Sequence, residues 1–392
     1  MPPISDYYDD VRDEPAVIEP REDSSDPLID PARLAELLDR PEEDTRRVLR
    51  LLDGMEAFPE PPPFPEIEQH LPDVALEGFS DSLSDLWTRI KRWLRKLRQW
   101  IINDGALVHE ALRTVKFQAE NLKVEARARL VSRPGQLEIR SHIASLSTFY
   151  RTPRDVSSVI AGLRHLESVL TAYLEYVNRH LLAGVNRIGP RINQINPTIM
   201  APSELDELVS TLRQFAPQQL ITPLRLTPLN GQSGQYASAH LLGNNRLVLS
   251  QGNNDQSLEG LNRQHLRLRF SEVRPRPVPP AIQLSRFNRI QHDQCMNQVI
   301  TMADQLMLHT QSSMRRQRER MLDSLSAYVD AFTVKTEGVD TSRLQRKEQI
   351  RMVVQVARTV SDWANNPYHG MISNALRSMR GTLVLCRANM DK

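Results

Sequence analysis

The sequence predicts a mainly α protein: an elongated helical bundle with a small antiparallel β insertion, preceded by a disordered acidic propeptide-like tail. Three observations predict it. Apolar residues recur at helical spacing over residues 79–215 and again from Leu284 onward. Between these stretches, residues 218–280 break the period with closely spaced Pro, Gly and Asn. The first 77 residues carry 22 Asp and Glu against 7 Arg and no Lys. The units implied are 1–77, 78–216, 217–283 and 284–392.

Within the tail, Asp30 caps a helix with Pro31 at its first position, and Pro41 opens a second that runs to Leu52 before Gly54. FPEPPPFP (Phe58–Pro65) is extended, because proline fixes its own φ and turns the preceding residue away from the helical region. The tail has little core of its own.

The best-patterned helix begins at Phe79. On a wheel of ~3.6 residues per turn, Phe79, Leu83, Leu86, Trp87, Ile90, Trp93, Leu94, Leu97, Trp100 and Ile101 share an arc of roughly 140°. Arg89, Lys91, Arg92, Arg95, Lys96 and Arg98 lie outside it. Such a helix either rests on a membrane or a partner, or lines a bundle core with a solvated basic face. Asn103-Asp104-Gly105 reads as its stop.

A second helix is expected over 106–131, ending before Pro134-Gly135, and a third over 136–150. Asp155 caps a long one ending near Gly184, and a short one follows from Ser203 to Pro217. Short connections make such helices antiparallel neighbours in a bundle. In the insertion, Gly243-Asn244-Asn245 between apolar runs signals a hairpin turn, and HLRLRF (His265–Phe270) alternates as a half-exposed strand does. Three or four strands are expected, then a stiff linker, RPRPVPP, from Arg274 to Pro280. From Leu284 a single helix of nearly 50 residues is expected, broken at Gly338. Helices over 342–363 and from Pro367 to about Ala388 complete the chain.

Charge divides the chain more sharply than structure does. Residues 1–77 have a formal charge of −15, and the 26 acidic and 43 basic residues beyond Glu77 give +17, so the net of +2 conceals two opposed pieces. An acidic tail screens a basic body from nucleic acid until it is removed. Arginine outnumbers lysine 43 to 7, which suits bidentate phosphate contacts but is also what a GC-rich coding genome produces. The candidate contacts are Lys91, Arg92, Arg95, Lys96 and Arg98, with a second cluster at Arg315, Arg316, Arg318 and Arg320. No finger, helix-turn-helix or RNA-binding signature is present, so any binding would be to phosphates, without sequence preference and sensitive to salt.

Enzyme signatures are missing. There is no GxxxxGK[ST], GxGxxG or GxSxG, and His109-Glu110-Ala111-Leu112-Arg113 lacks the second histidine of a zinc-protease HExxH. The ten histidines are scattered, and Cys295 and Cys386 match no metal or redox spacing. Neither an enzyme nor a cofactor or metal site is expected. With no apolar leader and no run of ~18 apolar residues, the chain is expected to be made soluble in a reducing cytoplasm.

Ala75-Leu76-Glu77 followed by Gly78 resembles the Ala/Ser-x-Glu site cut by the prohead proteases of giant tailed bacteriophages. Motif, composition change, charge reversal and helix start coincide there within a few residues. The layout is similar to that of the internal head (inner body) virion proteins of those phages: acidic leader, Glu-Gly-Phe, a Trp/Lys/Arg helix, a helical body and a β insertion with a GNN turn. The resemblance implies a precursor cleaved after Glu77, and a basic body held in the capsid interior with other virion proteins and packaged DNA. Ser257-Leu258-Glu259-Gly260 matches the same short motif. The alternatives are a membrane-associating protein using residues 79–103 and a prohead scaffold component.

Overall fold

The structure, a computed structural model, describes residue 28 and residues 30–63, 79–129, 135–194, 202–229, 233–251, 260–261, 263–270, 279–336, 355–364 and 367–390. In chain order the helices are α1 (Pro31–Leu37), α2 (Glu42–Asp53), α3 (Phe79–Arg129), a single turn α4 (Ile143–Leu146), α5 (Val156–Glu175), α6 (Leu182–Gln194), α7 (Pro202–Arg213), α8 (Arg289–Thr310), α9 (Ser312–Thr336), α10 (355–364) and α11 (Tyr368–Met390). The strands are β1 (Gln136–Ile139), β2 (Thr227–Pro228), β3 (Gln235–Ala237), β4 (Asn245–Ser250), β5 (His265–Phe270) and β6 (Ile282–Ser285). The fold is therefore mainly α with a small antiparallel sheet, as the periodicity predicts.

α3 is the spine. At 51 residues it is about 75 Å long and passes through Gly105 without a break. The two helices expected there are one. A glycine ends a helix by turning left-handed at its C-terminus; within a helix it costs only ~1 kcal/mol relative to alanine. Packing along both halves of α3 outweighs that. Ile90, Leu94, Leu97 and Ile101 join one core with Val185 and Ile188 of α6, Leu212 of α7, Leu322 and Leu325 of α9, and Val356 and Val360 of α10. Val108, Leu112, Val115 and Leu122 join a second with α5, α8, α11 and the sheets.

Two helical paths beside α3 break at one level. α5 carries the Asp155 cap that its sequence predicts, which Ser158 completes as a capping box, then passes through a π-helical turn (Tyr176–Leu181) into α6. It does not stop at Gly184, which lies against Phe215: a Cβ there would sit 2.5 Å from the ring. The expected helix of nearly 50 residues is two. Asn288 and Gln291 form a capping box that starts α8, and Gln311 is extended (φ −58°, ψ 156°) between α8 and α9. Polar groups fill the level of the breaks: Asn178 Nδ2 is 3.0 Å from His309 Nδ1, and His109 Nδ1 is 3.3 Å from Thr310 Oγ1. The Thr310–Ser313 run is rich in side chains that compete for backbone hydrogen bonds, so the break falls there.

The insertion is a four-stranded antiparallel meander, β2-β3-β4-β5. Gly243 (φ +80°) and Asn244 (φ +60°) form the turn before β4, with the Leu241 N–H donating to the Asn245 carbonyl at 2.7 Å. In β5, Leu266 is buried while Arg267 and Arg269 are exposed. Residues 136–150, expected to be helical, are instead β1 and the short α4. β1 pairs with β6 antiparallel, Leu137 opposite Leu284, tying the first helical region to the second. The alternation of QLEI after Pro134-Gly135 is a strand period.

The N-terminal segment needs the largest correction. α1 and α2 form where expected: Asp30 Oδ1 accepts from the Ala32 N–H at 3.4 Å, and Gly54 closes α2 left-handed at φ +78°. They are not a tail without a core, however. α2 packs on α3 and α11, and Leu28, Val48, Leu51, Leu52 and Phe58 belong to the same core as Leu112 and Leu383. Each such residue contributes roughly 1.5–3 kcal/mol when fully buried. The rest of the expected disordered tail, residues 1–27, 29 and 64–77, lies outside the described residues.

Candidate partner interface

α3 presents two faces between Thr88 and Asn103. On the apolar one, Ile90, Trp93, Leu94, Leu97 and Trp100 are all buried, as the wheel predicts for a core-facing helix. The Trp87 side chain lies outside the described ones. The two tryptophans are not sealed by helices alone. Trp100 Nε1 donates to the Pro59 carbonyl at 2.8 Å and Trp93 Nε1 donates to the Pro62 carbonyl at 3.0 Å. A buried indole N–H needs an acceptor, and the proline-rich segment supplies both. Pro59 sits by Trp100 and Pro62 by Trp93, so the segment runs antiparallel to α3.

Phe58 anchors that segment at one end. It is buried and meets the His369 ring edge-on at 6.0 Å, and Trp100 meets the same ring at 5.9 Å. Asp104, 2% exposed, lies beneath with Oδ1 3.5 Å from His369 Nδ1. A second anchor fixes α2. Arg380 on α11 donates from Nε to Asp53 Oδ1 at 2.7 Å and from Nη2 to Asp53 Oδ2 at 3.4 Å, while its Nη1 donates to Gln118 Oε1 at 3.1 Å. His142 Nε2 is 3.5 Å from Asp53 Oδ1. Burial acts to raise the Asp53 carboxyl, but the His142 hydrogen bond and the charge and hydrogen bonds of Arg380 outweigh it, holding the group below its ordinary value. Arg40 adds an ion pair to Glu110 of α3.

The basic face divides. Lys91 pairs with Asp330 at 2.6 Å, and Arg98 reaches Asp323 at 3.4 Å and Glu319 at 3.9 Å, so both are engaged with α9. Arg92, Arg95 and Lys96 are exposed and make no ion pair among the described residues. The second cluster divides too. The Arg315 side chain is outside the described ones, and Arg316 and Arg320 are exposed. Arg318 is not a surface contact: it is 7% exposed, stacks on Tyr368 at 3.6 Å and donates to the Ala364 carbonyl at 3.2 Å. Arg320 and Asp323 line an open groove of about 580 Å³ between α6 and α9, with charges of both signs.

The Ala75-Leu76-Glu77-Gly78 site lies outside the described residues, as do 257–259 of its second copy; Leu261, just beyond, is buried. Among the described residues no cluster of His, Cys, Asp or Glu could hold a metal, and no helix is long and apolar enough to cross a membrane. Cys295 and Cys386 are free and buried, and come together although 91 positions separate them; burial and the neighbouring Cys295 thiol push Cys386 well up.

Sequence reasoning found the tryptophan arc but missed what covers it. Phe58 beside a proline run was the available signal, since aromatic and extended proline segments pair readily. Asp53 and Arg380 are 327 positions apart and carried none. No protein-family model, curated protein or solved structure matches the chain.

Proposed function

We propose that the chain is a structural protein of the head interior of a tailed bacteriophage, made as a precursor, cut by the prohead protease after Glu77, and without catalysis of its own. The observation that carries this reading is the coincidence at Glu77-Gly78. An Ala-x-Glu motif, the switch from −15 to +17 in formal charge and the start of α3 at Phe79 fall together. Other virion proteins and the phosphates of packaged DNA are its partners, with Arg92, Arg95, Lys96, Arg316 and Arg320 the exposed cations available to them. Arg318, Lys91 and Arg98 drop out of that set, being engaged within the fold.

A membrane role for residues 79–103 is the weaker reading, because from Ile90 onward the apolar arc is occupied by the core and by the proline-rich segment. A scaffold that leaves the particle is distinguished by its absence from mature virions. N-terminal peptide mapping of the protein in purified particles tests the proposal. A start at Gly78 is expected; a peptide spanning an unbroken Glu77-Gly78 bond, or no protein, ends it.

A further inference from the structure

We propose that the Trp93–Trp100 face of α3 is a binding site for an extended, proline-rich peptide, and that residues 58–63 of this chain are its resident ligand, held without need of the covalent connection. The argument is one of register. Seven residues of α-helix advance about 10.5 Å over nearly two full turns, so Trp93 and Trp100 point their N–H groups from one face. A polyproline II strand has three residues per turn and rises about 3.1 Å per residue, so carbonyls three apart repeat on one side at about 9.3 Å. Pro59 and Pro62 are three apart, and their carbonyls take those two donors at 2.8 and 3.0 Å. Four of the six residues in FPEPPP are proline, which fixes φ and lowers the entropy lost on docking. Phe58 fills the aromatic pocket by His369 and sets the register, while Glu60 between the two contacts is exposed.

This deepens the proposed cleavage and rests on it only for the place of the natural cut. After a cut between Glu77 and Gly78 the N-terminal piece stays on the body as a second, noncovalent chain, so cleavage severs without releasing. Charge supports retention of this part in particular. Residues 30–63 carry nine acidic residues against five arginines, so most of the leader's negative excess lies outside the docked segment.

The test uses the full chain with a site-specific protease sequence replacing residues 66–72, cut in vitro and examined by size exclusion and native mass spectrometry at micromolar concentration. The N-terminal fragment is expected to co-elute with the body one to one. Trp93→Phe/Trp100→Phe, which removes both donors and keeps aromatic bulk, is expected to weaken retention roughly tenfold or more, as loss of two hydrogen bonds would. Phe58→Ala, which empties the pocket beside His369, is expected to weaken it at least as much, and Glu60→Ala to leave retention unchanged. Dissociation of the parent fragment, or a tryptophan variant that holds as tightly as the parent, overturns the proposal; should the tryptophan variant fail to fold, Phe58→Ala alone decides. An uncut natural chain in virions would instead remove the cleavage reading and leave this site standing.

Discussion

The two faces of the first half of α3 differ in what they are finished with. From Ile90 onward its apolar face is closed by other parts of the same chain, down to the indole N–H groups of Trp93 and Trp100, which donate to the Pro62 and Pro59 carbonyls. Its basic face is closed in part, Lys91 and Arg98 paired with α9, and open at Arg92, Arg95 and Lys96. Apolar surface and buried donors have one favourable disposition, which is burial with a partner, whereas exposed cations lose little by facing water. So the apolar face reports on the fold, and only the residual cations are available for a partner.

Breaking the lock beneath the closed face has the largest expected effect. Asp53→Ala leaves the Arg380 guanidinium buried without its carboxylate and is expected to cost about 3–5 kcal/mol in urea unfolding. The same lock gives a pH signature. The Asp53 carboxyl lies below its ordinary 3.8, so its contribution is complete above that value and is lost as pH falls beneath it. α2 should loosen from the body only in strong acid.

Arg318 and Arg316 sharpen the contrast within two residues. Arg318→Ala removes the stack on Tyr368 and the bond to Ala364 and is expected to destabilise by about 2–4 kcal/mol, while Arg316→Ala stays within about 0.5 kcal/mol.

The sheet responds to acid earlier than α2. Burial, with Arg267 and Arg269 nearby, pushes His265 down to about 4 from 6.5. Between those values the unfolded residue binds a proton that the folded one does not, so stability falls as pH drops through that window. A melting temperature several degrees lower at pH 5 than at pH 7 is expected, with His265→Gln flattening part of the slope.

The smallest effect on stability is expected on the open face. Arg92→Glu/Arg95→Glu/Lys96→Glu should leave the melting curve nearly unchanged but weaken association with duplex DNA and flatten its salt dependence. Unchanged binding would place the contact elsewhere.

What the sequence made legible was local. The cap at Asp155, the hairpin turn at Gly243-Asn244, the alternation of β5 and the arc from Ile90 to Ile101 are all written in neighbouring residues. What it hid was tertiary. Gly105 and Gly184 read as stops because the packing that overrides them comes from elsewhere in the chain, in Gly184's case from Phe215. β1 reads as helix in the sequence because its partner β6 is more than 140 residues away. The acidic segment read as a tail because its net charge masks a few apolar residues, Leu51, Leu52 and Phe58, that suffice to seat it.

Amide hydrogen exchange of the intact protein tests most directly whether that acidic segment is part of the folded body. The amides of Leu51 and Leu52 should be protected to the same degree as those of Leu112 and Val115 in α3. Exchange at unfolded-chain rates in α2, with α3 still protected, would contradict the account.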